Sequence, residues 1–237
     1  MYPFVRVFLA GLLALLMSAC ATGPVSSVWT QPGQTPRQYE RLVVFGVTNS
    51  PKVRRAYEDN FVKQLQTLGV TATAGHELVS DRNLGRLTRL TEGYAKVKAD
   101  GVLITHLVSD EAPSPRPAAR IGSVPDHYRH LVGYFSQVYE EVCAPGYYSD
   151  LKSLRLETNL YDAKQERLVW SGRSQPLDPT SERTTISQVI EEIVAQMQRD
   201  GFAKPLKIRR PCSLHQDNAI SARTMDSSSA RSATRMV

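Results

Sequence analysis

Cysteines, neighbouring carboxylates and closely spaced histidines are the side chains in this sequence that could do chemistry. His127 and His130, in the run DHYRH, stand three apart, a spacing that can hold a metal on a helix. They fall where a loop is expected to enter a strand, and no second ligand pair lies nearby in sequence, so they read as surface histidines and no metal is assigned. His106 sits inside the apolar run VLITHLV and is expected to be a hydrogen-bonded core residue. Glu140-Glu141 and Glu191-Glu192 are sequence neighbours, so their side chains point apart on a strand or helix and read as solvated faces rather than an acid–base pair. The chain contains no G-x-S-x-G elbow, no G-x-x-x-x-G-K-[ST] loop and no H-E-x-x-H. No catalytic residue and no cofactor is therefore assigned, and the protein is not expected to be an enzyme.

The cysteines are more informative. MYPFVRVFLAGLLALLMSAC starts with one charge, Arg6, continues through an apolar stretch from Val7 to Met17, and ends in small residues before Cys20. Eleven helical residues reach only about 16 Å, roughly half a hydrocarbon core, so this is an export signal rather than a spanning helix. Met17-Ser18-Ala19-Cys20 resembles the bacterial lipobox. The resemblance implies that residues 1–19 are removed and that Cys20 becomes the first residue, carrying diacylglycerol on sulfur and a further acyl chain such as palmitate on nitrogen. Ala21, where an aspartate would favour the inner membrane, implies the outer membrane and its periplasmic face.

Residues 20–38 follow as a lipidated cysteine and a linker rich in Pro, Gly, Ser and Thr, which could extend to about 60 Å at most and let the folded part stand off the membrane. Residues 213–237 have no apolar periodicity and read as a disordered tail. From Lys204 onward seven basic residues meet two acidic ones, so the net +5 of this end accounts for nearly all of the chain's +6. A basic tail could touch anionic head groups, but a solvated end is the simpler reading, and nucleic acid is not expected as a partner of an exported protein. With Cys20 acylated, Cys143 and Cys212 remain as an even pair in an oxidising compartment and are expected to form a disulfide.

One domain is expected over 39–212, of the α/β class with a mixed sheet. RLVVFGV reads as a buried strand, and Ser50-Pro51 as the start of a helix with Val53, Tyr57, Phe61, Leu65 and Leu68 along one side. Val70–Ala74 is a short strand, Arg82–Lys98 a second helix, and Val102–Val108 a third strand, giving a βαβαβ start. Ser109–Tyr128, with four prolines, is a long loop, either mobile or used for contact. Leu131–Val142 is read as extended. Leu154, Leu156, Thr158 and Leu160 form one face of a hairpin whose return strand continues it with Leu168 and Trp170. Ile186, Val189, Ile190, Ile193, Val194 and Met197 predict a C-terminal helix packed on the sheet and stopped by Gly201.

The runs RLVVFGVTNSPKVRRAYEDNFVKQLQTLGV, KADGVLITHLV and LYDAKQERLVWSG, with the final helix, resemble small envelope lipoproteins in layout. These include the curli-secretion lipoprotein, the cell-wall-synthase activator lipoproteins and the N-terminal domain of the Tol translocation protein. The resemblance implies binding to, or assembly with, other envelope proteins rather than catalysis. Arg116 and Arg120 of the proline-rich stretch belong to the expected interface, as do Tyr147 and Tyr148 if they are exposed. A small-ligand or metal carrier with a closed pocket near His127 and His130, and an envelope hydrolase, are the alternative readings. Oligomeric state is not legible.

Overall fold

The computed structural model describes residues 25–149, 153–177 and 183–203, all within one compact unit. A mixed α/β fold is built on a six-stranded sheet in the order β1-β6-β5-β4-β2-β3. The strands are β1 (Val25–Thr30), β2 (Arg41–Gly46), β3 (Thr71–Ala74), β4 (Gly101–Ser109), β5 (Leu154–Asp162) and β6 (Arg167–Ser174). Helix α1 (Pro51–Thr67) links β2 to β3. The short α2 (Gly75–Leu78) and then α3 (Leu87–Lys96) link β3 to β4. A short α4 (Asp126–Arg129) and α5 (Leu131–Val142) lie between β4 and β5, and α6 (Arg183–Arg199) follows β6.

β2 is parallel to β3 and β4, and β5, β6 and β1 add antiparallel. α1 starts as expected: Ser50 accepts from the Val53 amide and Pro51 opens the helix, where its missing N–H costs nothing. Phe61 and Leu65 of α1 join Val189, Ile190, Ile193, Val194 and Met197 of α6 over one sheet face. α3, α5 and the proline-rich segment cover the other, with Leu90, Leu131, Tyr134, Phe135 and Val138 buried.

Four expectations are corrected. Leu131–Val142 is a helix, not a strand; its aromatic and valine content suggested β, but Leu131, Tyr134, Phe135, Val138 and Val142 fall on one helical face and are all buried. Val25–Thr30, assigned to the linker, is an edge strand hydrogen-bonded to β6, with Trp29 buried beneath the loop. The second helix begins at Leu87 rather than Arg82, after a 3₁₀ turn over Asp81–Asn83. Leu168 and Trp170 do not share a face: a bulge between Leu160 and Tyr161 pairs shifts the register, sending Leu168 to one core layer and Trp170 to the other.

The turn from β3 into α2 has no room for a side chain. A Cβ on Gly75 would lie 2.4 Å from the Phe45 ring and 2.8 Å from the Val44 carbonyl oxygen. Gly75→Ala is therefore expected to destabilise the fold by about 1–3 kcal/mol, read as a lower urea midpoint with an unchanged slope.

Candidate functional site

Glu157 on β5 and Arg173 on β6 are register partners, so they project side by side from the sheet face that carries the proline-rich loop. Both are buried, Glu157 completely. The Arg173 Nε donates to Glu157 Oε2. Its two remaining nitrogens reach the loop, Nη1 donating to the Ala112 carbonyl at 2.7 Å and Nη2 to that of Pro113 at 2.5 Å. Tyr134 donates to Glu157 Oε1 at 2.5 Å, and Tyr128 Oη lies 2.8 Å from the Pro113 carbonyl and 3.1 Å from Glu157 Oε2. With the Tyr134 proton directed at Glu157, His106 Nε2 is left to donate to Tyr134 Oη across 2.8 Å. Asn159 Nδ2 donates to both Tyr134 Oη and Glu157 Oε1.

Burial by itself would raise the Glu157 carboxyl, but the His106 ring, the Arg173 guanidinium and the Tyr134 hydroxyl outweigh it and hold the group down at about 2. Burial, reinforced by the Glu157 charge, pushes the Tyr134 and Tyr161 hydroxyls far above their ordinary range. At neutral pH the cluster is thus a fixed anion–cation pair among proton-bearing phenols. Its geometry clamps the root of the loop to the sheet, and a carboxylate this acidic is poorly matched to proton transfer near neutrality.

A second buried charge cluster lies at the C-terminal ends of β2 and β3. Glu58, fully buried on α1, accepts from Arg54 Nε and the Gly46 amide at 2.9 Å each, and from the His76 amide at 2.6 Å. Arg54 continues to Asp81 at 2.9 Å and to the Val79 carbonyl at 3.0 Å, tying α1 to the segment after α2. Beside it is a depression of about 200 Å³ bordered by Thr48, Arg54, Asp81 and Cys143. Burial raises the Cys143 thiol, which lowers its thiolate fraction and its reactivity as a nucleophile.

A cleft of about 390 Å³ opens at the other end of the sheet and is walled by Gln31, Gln34 and Arg37 of the β1–β2 connection. At its floor Asp162 accepts from Tyr39 and Arg37, both at 3.3 Å, on one oxygen, and from the amides of Lys164 and Gln165, both at 2.9 Å, on the other. Arg37 also covers the Tyr39 ring at 5.1 Å. The buried carboxylate is fully engaged in holding the β5–β6 turn.

Of the residues singled out in the sequence, Cys20 and Cys212 lie outside the described residues. Cys143 is half-buried after α5 and forms no disulfide among the described residues. Tyr147 and Tyr148 are half-buried, edge to face at 4.9 Å, and pack against the core. Arg116 and Arg120 are exposed on the loop. His106 is buried and hydrogen-bonded as expected. The His127 ring lies tilted beside that of Tyr128 with centroids 4.5 Å apart, while His130 is exposed at a bridge to Arg167, so the two do not converge on a closed pocket. The sequence signals neither buried pair: Glu157 and Arg173 stand among alternating residues that resemble a strand's solvent face, and Arg54 and Glu58, four apart on α1, resemble an ordinary exposed helix pair.

No protein-family model and no curated protein sequence matches the chain. Among solved structures, the PelC dodecamer from Paraburkholderia phytofirmans is similar with a TM-score of 0.39 and 12% identity, over 76% of this chain and 99% of that one. TolB from Acinetobacter baumannii has a TM-score of 0.31 and 10% identity, over 73% of this chain and 31% of its own. Values this low bear on neither partner nor chemistry.

Proposed function

We propose that this chain is a non-catalytic lipoprotein, held by acyl chains on Cys20 at the periplasmic face of the outer membrane, whose domain binds other envelope proteins. The observation that carries the reading is Met17-Ser18-Ala19-Cys20 at the end of a short apolar leader, placed directly before a folded domain. The domain's chemistry is consistent with it. Its most buried carboxylates, Glu58 and Glu157, are engaged with arginines, backbone amides and tyrosines that hold loops and helices in place. Its described cysteine has a raised thiol pKa.

Photocrosslinking in cells, with the probe placed in turn at exposed positions such as Gln66, Glu92 and Glu140, tests the binding role. A recurrent adduct with one envelope protein, confined to one region of the surface, is the expected outcome. Adducts scattered over many proteins, or none at any position, would count against a dedicated partner.

A further inference from the structure

Only Ala21, Thr22, Gly23 and Pro24 separate Cys20 from the first residue of β1. However those four residues are arranged, five Cα steps reach no more than about 18 Å. That is less than the width of the sheet itself, roughly 24 Å for six strands. The start of β1 has no slack to add. Val25 pairs with Ser174, and the Ser26 hydroxyl donates to the Ser174 carbonyl at 2.7 Å while accepting from Arg155 at 2.5 Å. An acyl chain on Cys20 therefore places this corner of the domain at the head-group layer instead of tens of ångströms away.

The surface beside that corner is the proline-rich loop. Arg173, opposite residue 27 of β1, holds Ala112 and Pro113, and the Trp29 indole donates to the Ala119 carbonyl at 2.8 Å. Residues 113–119 thus run alongside β1, with Pro113, Pro115 and Pro117 limiting their freedom. Arg116 and Arg120 extend from this stretch, exposed and without an ion-pair partner among the described residues. By contrast, Arg129 is taken by Asp126 at 2.7 Å and Arg155 by Asp110.

We propose that the domain rests on its own membrane through the β1 corner, with Arg116 and Arg120 set against anionic lipid head groups. The proposal rests on the lipid anchor at Cys20. It departs from the stand-off that residues 20–38 would allow as a free linker, and it commits the loop arginines to lipid rather than to a protein. Guanidinium groups held within about one Debye length of an anionic surface, about 8 Å at physiological ionic strength, are attracted to it, and the attraction weakens with salt.

The test uses the full lipidated chain with Cys143→Ser and Cys212→Ser, carrying a fluorophore at Ala118→Cys on the loop or at Gln66→Cys on α1, which packs against the opposite edge strand. Each is reconstituted into vesicles of phosphatidylethanolamine with phosphatidylglycerol and a head-group nitroxide quencher. Quenching several-fold stronger at position 118 than at 66 is expected, lost in Arg116→Glu/Arg120→Glu and reduced by salt or by omitting phosphatidylglycerol. Mass spectrometry of the same sample reports the anchor. An acylated chain with equal quenching at both positions overturns the seating alone, as does quenching that ignores charge reversal. A chain bare at Cys20 overturns the seating together with the anchor beneath it.

Discussion

A Cys20→Ser chain is expected to leave the membrane fraction entirely. Each buried methylene contributes about 0.8 kcal/mol, so the diacylglycerol and amide-linked chain proposed for Cys20 would together hold the protein essentially irreversibly, whereas one short chain alone would not. The leader's apolar run, Val7 to Met17, is about half the length of a spanning helix, and no helix among the described residues is long and apolar enough to cross a membrane. Fractionation with and without high salt separates this loss from weakened surface contact. If the serine variant stayed with the membrane after a salt wash, the anchor would have to be sought elsewhere in the chain.

Arg173→Met is expected to be the most damaging change inside the fold, lowering unfolding free energy by about 3–5 kcal/mol, as breaking a buried ion pair does. Domain stabilities are commonly about 5–15 kcal/mol, so this is a large fraction of the total. The methionine fills much of the space but leaves the Glu157 carboxylate without its guanidinium, removes the donor to the Ala112 carbonyl, and leaves the Pro113 carbonyl with Tyr128 alone. Arg173→Lys, which keeps charge but loses the fork, should fall in between. Adding Glu157→Gln to the methionine variant should recover part of the loss, because the stranded anion is then gone. Urea unfolding followed by tryptophan emission measures all three. A methionine variant within about 0.5 kcal/mol of the parent would show that the pair does not hold the loop.

Acid adds an independent readout of the same pair. Glu157 titrates at about 2 in the fold against an ordinary 4.5, so the folded state favours its ionised form. Its contribution is complete above the ordinary value, declines as pH falls toward 2 and is absent below, an interval equivalent to about 3 kcal/mol. Glu157→Gln should remove that part of the pH dependence.

Much of the sheet was legible because its signals are local. The apolar run of β2, the capped stripe of α1 and the Leu–Trp hairpin each fit within a few residues, and α6 repeats its period over about three turns. β1 was not, because an edge strand needs neither alternation nor strong β residues once a neighbour supplies its hydrogen bonds; only Trp29 hinted at burial. α5 is hard to read because its valines and aromatics favour strands, and only their helical spacing marks the buried face. The buried pairs were invisible for another reason. Arg155, Glu157, Asn159 and Tyr161 form the second face of β5, and nothing local says that this face is also covered; that depends on a loop more than 40 residues away.

The pairing of β1 with β6 also dictates when this molecule can be finished. Ser26 meets Ser174 across 148 positions, so during synthesis the first strand emerges long before its only neighbour exists. Such distant contacts form slowly, since the intervening chain must first be closed into a loop. The opening segment therefore stays a loose thread until nearly the whole domain has been made, and a chain interrupted before Arg167 would leave it with no strand to join.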